Sequence, residues 1–379
     1  MTPRVLIVAN WDWVLYNFRL PLLRLLQDEG YEVILVCPPG KYIDELQGKG
    51  FSWQIWRVDR RSMGLFSEIR TILELFRIYK KIDPHIVHHI TIKPILYGSL
   101  CALWAQVPEV INNFTGLGYL FSEAPKAVWL RRLLLPVFRW ILKGHGFQQI
   151  LLNKDDVERL VNLRAISRGE VKLIKGEGID LDLYKPAEGQ YQTKGAPIVL
   201  MASRLLWDKG VAEFIEVAQR INQQGRNAKF WIAGEADPGN PTSVPKEDIE
   251  NWEKLDQVTF LGHQEDMASL YQAVDIAVLP SYHEGIPVFL QEAAACGLPL
   301  VGSNIAGCRE VIDPGRNGFL VPPQNVDVLT RAVLKLIEDK KLRRKMSRQS
   351  RLIAEERFNQ EKIIREYLTL YNNLDVISR

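Results

Sequence analysis

Short apolar runs alternate with longer segments whose apolar positions recur at helical spacing, from one end of the chain to the other. In the first half the runs predict strands over residues 5–9, 33–37, 86–89, 110–114 and 150–152. The periodic stretches between them predict helices over 19–29, 41–49, 64–82, 95–105 and 128–142. From residue 198 the alternation starts afresh, with strands at 198–202, 229–233, 258–261, 276–280 and 298–302. Its helices fall at 210–223, 267–274, 287–296, 326–338 and 341–357, and the Pro- and Gly-rich stretch 235–246 reads as a loop. Repeated strand–helix alternation is the signature of parallel βαβ units. The Gly-rich polar stretch 176–195 separates the two series and reads as a hinge. The expected fold is α/β: two Rossmann-like doubly wound domains, residues 1–180 and 196–357, facing across a cleft lined by strand carboxyl ends. A last amphipathic segment, within 358–379, is expected to pack back on the first domain.

Composition narrows the class. Of 379 residues, 47% are hydrophobic and 25% charged, a soluble globular profile. The net charge of +3 is too small to argue for a nucleic-acid partner. Residues 1–180 hold 24 Lys and Arg against 18 Asp and Glu, while the remainder holds 24 against 27. A basic first half suits an acidic acceptor or an anionic membrane surface, and equally an ordinary solvated face. Cys37, Cys101, Cys296 and Cys308 lie far apart with no Cys-x-x-C, as expected of reduced thiols in a cytoplasmic protein. The N-terminus is too short and too weakly basic for a signal peptide. No stretch reaches the roughly 18 apolar residues needed to span a bilayer. The nearest, 94–108, is bracketed by Lys93 and Glu109.

The densest chemistry is Pro280-Ser281-Tyr282-His283-Glu284-Gly285-Ile286-Pro287-Val288-Phe289-Leu290-Gln291-Glu292. An apolar strand precedes it and a helix follows, with Pro287 where proline is best tolerated. A strand, a Gly-containing turn and a helix N-terminus together present backbone N–H groups to an anion. Glu292 lies about 7.5 Å further along that helix. Two carboxylates so spaced suit sugar hydroxyls with a phosphate between them; the spacing equally suits surface acids beside a helix N-terminus. Ser203-Arg204-Leu205-Leu206-Trp207-Asp208-Lys209-Gly210 sets Arg204 and Lys209 at another strand's carboxyl end, as a planar fork and a point charge suited to a diphosphate. A lone Arg-x4-Lys is also common at helix entries.

In the first half the turn at 10–19 lacks Gly, so it is no dinucleotide fingerprint, and Gly116-Leu117-Gly118 is weak by itself. Asn17, Arg19 and Lys93 are positional candidates for an acceptor phosphate. His88 and His89 either end a buried strand or face a ligand, and His283 either flanks the key turn or packs there. Residues 126–143 combine Lys126, Arg131, Arg132, Arg139 and Lys143 with Trp129, Leu130, Phe138 and Trp140. That pattern reads as an interfacial membrane helix, or as a core helix kinked at Pro136.

Together, Ser203-Arg204-Leu205…Lys209-Gly210, Gly234-Glu235, the 279–287 turn, Glu292-Ala293, Ala295-Cys296-Gly297-Leu298-Pro299, Gly307-Cys308-Arg309-Glu310 and Gly318-Phe319-Leu320-Val321-Pro322 resemble the retaining family 4 glycosyltransferases of the GT-B fold. Asp83-Pro84-His85-Ile86-Val87-His88, Lys93-Pro94 and Thr115-Gly116-Leu117-Gly118 look like the branch that builds capsule, lipopolysaccharide and lipid-linked oligosaccharides. The resemblance implies transfer of a sugar from a nucleotide donor, expected to be UDP-linked, to a glycan acceptor expected to be polyprenyl-linked. It implies that Arg204 and Lys209 neutralise the donor diphosphate, Glu284 holds the transferred sugar and Glu292 accepts from the ribose hydroxyls. Ser203 and the amides around Gly285, Ile286 and Val288 would complete the donor cradle. Where relatives carry a His facing the donor sugar, this chain has Thr115 followed by Gly116. On the same resemblance Arg204 and Lys209 take the electrostatic role a metal would have, so no metal or other cofactor is expected. The expected location is cytoplasmic, with peripheral contact at the inner membrane face. A nucleotide-sugar epimerase and a non-catalytic binding subunit are the rival readings.

Overall fold

The computed structural model describes residues 2–59, 64–117, 125–187 and 195–374. Gly118, the centre of the expected hinge (188–194) and the side chains of Lys126 and Leu130 lie outside the described residues. The chain divides into two compact units, Met1–Glu177 with Glu361–Arg379, and Gly178–Gln360.

The first unit is a seven-stranded sheet in the order β3-β2-β1-β4-β5-β6-β7. Its strands are β1 (Arg4–Ala9), β2 (Glu32–Cys37), β3 (Ser52–Ile55), β4 (Ile86–Ile90), β5 (Glu109–Asn113), β6 (Gln148–Leu151) and β7 (Val171–Leu173). All neighbours are parallel. Its helices are α1 (Asp12–Val14), α2 (Leu20–Asp28), α3 (Ile43–Gly48), α4 (Leu65–Ile82), α5 (Ile92–Ala105), α6 (Pro125–Leu142) and α7 (Lys154–Asn162). The central strands are buried on both faces because helices cover both, which is why they read as unbroken apolar runs. One face packs on α4 and α5 through Leu75, Tyr79 and Cys101. The other packs on α2 and on residues Ile363, Tyr367 and Tyr371 near the C-terminus.

The second unit repeats the plan with six parallel strands, in the order β10-β9-β8-β11-β12-β13. These are β8 (Ile198–Ala202), β9 (Lys229–Ala233), β10 (Val258–Gly262), β11 (Ile276–Leu279), β12 (Leu300–Ser303) and β13 (Gly318–Val321). The helices are α8 (Val211–Gln223), α9 (Lys246–Glu253), α10 (Met267–Gln272), α11 (Val288–Ala295), α12 (Ala306–Val311), α13 (Val326–Glu338) and α14 (Lys340–Arg357); α15 (Gln360–Asn372) follows and joins the first unit. Side-chain caps start several helices where local sequence demands it: Asp266 accepts from Ser269 N–H, Asn325 from Val328 and Asp339 from Leu342.

Several expectations shift. Residues 12–19 are helical rather than a turn, with a π-helical turn over Leu15–Arg19. The buried Asp12 carboxylate accepts the Tyr42 N–H at 2.8 Å and ties this entry to the segment after β2. Strands β3, β7 and β13 carry no long apolar run because each lies at a sheet edge. Pro136 stays inside α6, and the helix continues through it. The expected boundary at 180 falls within a segment held on the second unit: Ile179 N–H donates to Phe358, and Arg351 donates to the Leu181 and Tyr184 carbonyls.

Candidate active site

In the second unit the strand order reverses between β8 and β11, and the segments leaving these two strands carry the charged motifs. The first, after β8, is a short 3-10 turn, Trp207–Lys209, that leads into α8. The second, after β11, is the turn 280–287 that leads into α11. The Tyr282 N–H donates to the Asp208 carbonyl at 2.8 Å and joins the two turns. Gly210 makes that approach possible: a Cβ there would lie 2.4 Å from the Pro280 carbonyl, and its φ of +78° suits glycine. Gly307 does the same for the N-terminus of α12, where a Cβ would meet the Gly285 carbonyl at 2.4 Å.

This joining brings Lys209 and Glu284 together. Lys209 Nζ lies 2.6 Å from Glu284 Oε1, with the side chains only 17% and 14% exposed. The Ser281 hydroxyl donates to the same Oε1 at 2.8 Å. The pair comes from positions 75 residues apart and forms because each sits at a strand end on one side of the switch point. Arg204 stands on the rim, 52% exposed, and pairs with Asp237 at 2.7 Å. Asp237 belongs to the expected loop 235–246, which clasps the first turn: Trp207 N–H donates to Thr242, and Val244 N–H to Leu205. Such a half-exposed pair contributes at most about 1 kcal/mol, so its partner can be exchanged cheaply. Ser203, half-buried, donates its hydroxyl to the Arg204 carbonyl.

Helix α11 begins at Val288 with Pro287 as its N-cap, and its first amides precede any intrahelical bond. Gly285 and Ile286 lead into that end, with Ile286 buried. Glu292 lies one turn further on. Burial raises its carboxyl from the ordinary carboxylate range to about 7, opposed by hydrogen bonds from Tyr271 and Tyr184. The Tyr271 hydroxyl is 2.8 Å from Glu292 Oε2. Sequence reasoning missed Asp237, Tyr271 and Tyr184; nothing local to those residues points to the carboxylate or guanidinium each one meets.

The first unit uses its strand ends differently. Arg19 is not offered to solvent: it is 1% exposed, its Nη2 lies 2.5 Å from Glu177, and its Nη1 donates to the Tyr367 hydroxyl. Tyr367 also accepts from the Asn113 side chain at the end of β5. Lys93 is paired with Glu68 at 2.9 Å and donates to the Asp59 carbonyl. Asn17 is exposed and donates to the Trp13 carbonyl. His88 and His89 are fully buried, and desolvation pulls both below the usual imidazole range, His89 to about 4. Asn112 Oδ1 accepts from His89 Nδ1, so Nε2 accepts from the Tyr79 hydroxyl. Both histidines therefore belong to the core. Thr115 and Gly116 are half-buried just after β5, and His283 is exposed. All four cysteines are buried free thiols. Among the described residues no cluster of three His, Cys, Asp or Glu could hold a metal ion, and no helix is long and apolar enough to cross a membrane.

Two doubly wound units, one with cations and carboxylates interleaved at its switch point, define the architecture of a sugar-transferring enzyme, and comparison with known proteins agrees. Residues 187–352 match the family described as glycosyl transferases group 1, and residues 4–153 match glycosyl transferase 4-like. The chain is 30% identical over 372 residues to N,N'-diacetylbacillosaminyl-diphospho-undecaprenol alpha-1,3-N-acetylgalactosaminyltransferase of Campylobacter jejuni, covering 95% of this chain and 96% of that one. It is 26% identical over 335 residues to UDP-Gal:alpha-D-GlcNAc-diphosphoundecaprenol alpha-1,3-galactosyltransferase of Escherichia coli, covering 84% and 83%. The fold superposes on sucrose-phosphate synthase from Thermosynechococcus elongatus with a TM-score of 0.79 at 19% identity, covering 98% and 99%. The chain belongs to the family 4 glycosyltransferases, and its two α/β units are those of the GT-B fold.

Proposed function

We propose that the protein transfers a sugar, with retention, from a UDP-linked donor to a polyprenyl-diphosphate-linked glycan during cell-surface polysaccharide assembly. The observation that carries this reading is the Lys209–Glu284–Ser281 cluster at the switch point, beside the N-terminus of α11. In the proposed mechanism the donor diphosphate lies between Lys209, Arg204, the Ser203 side chain and the amides around Gly285, Ile286 and Val288. Negative charge grows on that diphosphate as the glycosidic bond breaks, and cations and dipoles fixed in advance stabilise it most in the transition state. Lys209 then shares its ammonium between Glu284 and the leaving phosphate. Lys209 and Ser281 both act on Glu284 Oε1, which leaves Oε2 for a hydroxyl of the transferred sugar. Glu292, held by hydrogen bonds from Tyr271 and Tyr184, offers a remaining lone pair to the ribose.

Two relatives are named for diphospho-undecaprenol acceptors and alpha-1,3 linkages, which supports both the lipid-linked acceptor and retention. In the first unit we assign contacts with the acceptor to Asn17 and Lys93, and with the donor to Thr115 and Gly116. Arg19 supports that unit from within. Residues 126–143 would bring the enzyme into peripheral contact with the inner membrane face that carries such an acceptor. Incubation with a UDP-hexose and a short polyprenyl-diphosphate glycan, followed by NMR of the product, tests the reading. A new α-linkage is expected. A β-linked product, or an epimerised donor without transfer, would overturn it.

A further inference from the structure

Single exposed apolar side chains are normal on a protein surface, but clustering of them is not. Of the eleven large hydrophobic residues that stand exposed among the described residues, seven lie on one layer of the first unit: Phe66, Ile69 and Leu73 on α4, Trp104 on α5, and Trp129, Val137 and Trp140 on α6. Helix α5 packs against both α4 and α6, so the three helices form a continuous layer. On α4 the exposed positions 66, 69, 70, 73, 77 and 80 recur at helical spacing along its outer face. Phe66 is 89% exposed, more than any other large apolar side chain described. The first half of this face carries Phe66, Ile69 and Leu73 over about 10 Å of helix. The second half carries Arg77, Lys80 and Lys81, and Arg70 lies within the first half between Ile69 and Leu73.

The charges are sorted in the same sense. The three helices contain only two carboxylates, and each is held in an ion pair, Glu68 with Lys93 and Glu74 with Arg57. The outward positions of α6 interleave Trp129 and Trp140 with Arg132 and Arg139. Apolar tips ringed by cations, with the helices' own two acids paired and the exposed Asp83 only at the far end of α4, complement a bilayer of anionic lipid: side chains enter the headgroup–acyl boundary while Arg and Lys meet phosphates and Trp settles at the interface.

We propose that the outer face of the α4–α5–α6 layer docks on an anionic bilayer and that α4, through Phe66, Ile69 and Leu73, is a second insertion element. This extends the contact proposed for residues 126–143, and its new part, α4, stands on different residues. The first unit would then be held flat against the surface that carries a lipid-linked acceptor.

The test is flotation of the full chain with vesicles of phosphatidylcholine and phosphatidylglycerol in equal parts, against phosphatidylcholine alone. The wild type should float with the mixed vesicles and at least about tenfold less with the neutral ones. Phe66→Ser/Leu73→Ser should lower flotation about tenfold or more, with transfer to a water-soluble acceptor unchanged. Arg70→Glu/Arg77→Glu, which removes no packing, should do the same. Trp129→Ser/Trp140→Ser reports separately on α6. If only this last variant loses flotation, the α4 proposal is overturned and the α6 reading stands. If the wild type floats with neither vesicle, both fall. Self-association that the α4 variant abolishes, without flotation, would make this face an interface between copies and would also overturn the proposal.

Discussion

Both units share the strand order that reverses beside the first strand, yet they fill the switch point with opposite physics. In the second unit the charges stand half-buried at the strand ends: Lys209 and Glu284 pair there, while Arg204 pairs with Asp237 on the rim. In the first unit the corresponding charge is sealed, since Arg19 is 1% exposed and bound to Glu177 and Tyr367. Residues of α15 close that side, with Tyr371 2.8 Å from His88 Nδ1. A half-buried pair can exchange one partner for a ligand at modest cost. A sealed pair cannot, because removing one partner leaves an uncompensated buried charge. One topology thus builds an exchangeable charged pair in one unit and a sealed structural pair in the other.

The sharpest way to break this comparison is to remove the exchangeable pair. Lys209→Ala or Glu284→Ala should lower kcat/KM by about 10³-fold, or ~4 kcal/mol of transition-state stabilisation, with the melting temperature little changed. The same treatment of the sealed pair should behave in reverse. Arg19→Ala should cost ~3–5 kcal/mol of stability, and Tyr367→Phe ~1–3 kcal/mol, while kcat/KM of the folded fraction holds. An Arg19→Ala protein that melts normally but no longer saturates with acceptor would make the sealed pair a site.

Smaller effects sharpen the donor side. The Glu292 carboxyl, raised by burial to about 7, should be largely protonated at pH 6 and largely ionised at pH 8. The ionised form is the stronger acceptor, so donor KM should fall across that interval, and Glu292→Gln should flatten the profile. The same shift works against folding, because the native state resists ionisation between the ordinary carboxylate value and about 7, so this group's stability contribution declines as pH rises through that window. Tyr271→Phe should raise donor KM about tenfold, the loss of one hydrogen bond to a carboxylate. The smallest change expected is at the rim, where Asp237→Asn frees Arg204 and should tighten donor binding by about twofold to fivefold, consistent with a weak exposed pair.

The parallel architecture and the two charged turns were legible in the sequence because both depend on local order. A strand buried on both faces needs an unbroken apolar run, and the turn that follows it needs its Gly and Pro in place. The edge strands β3, β7 and β13 escaped because one side of each meets solvent or a loop and the run dissolves. Helices α7 and α9 escaped because they are mostly polar, α7 burying only Val157 and Leu160. Side-chain partnerships were the least legible. Asp237 meets Arg204 across a folded loop, Tyr271 meets Glu292 from a neighbouring helix, and Glu177 meets Arg19 from the far end of the unit. Position after a strand suggested a ligand for Arg19, but position cannot say which way a side chain turns.

The central claim is that Lys209 with Glu284 grips the donor and Arg19 does not. Calorimetric titration of UDP into the wild type, Lys209→Ala and Arg19→Ala proteins tests it most directly, at a temperature where all three remain folded. Lys209→Ala should bind UDP at least a hundredfold more weakly, ~3 kcal/mol, and Arg19→Ala with wild-type affinity. Undiminished UDP binding by the Lys209→Ala protein would contradict it.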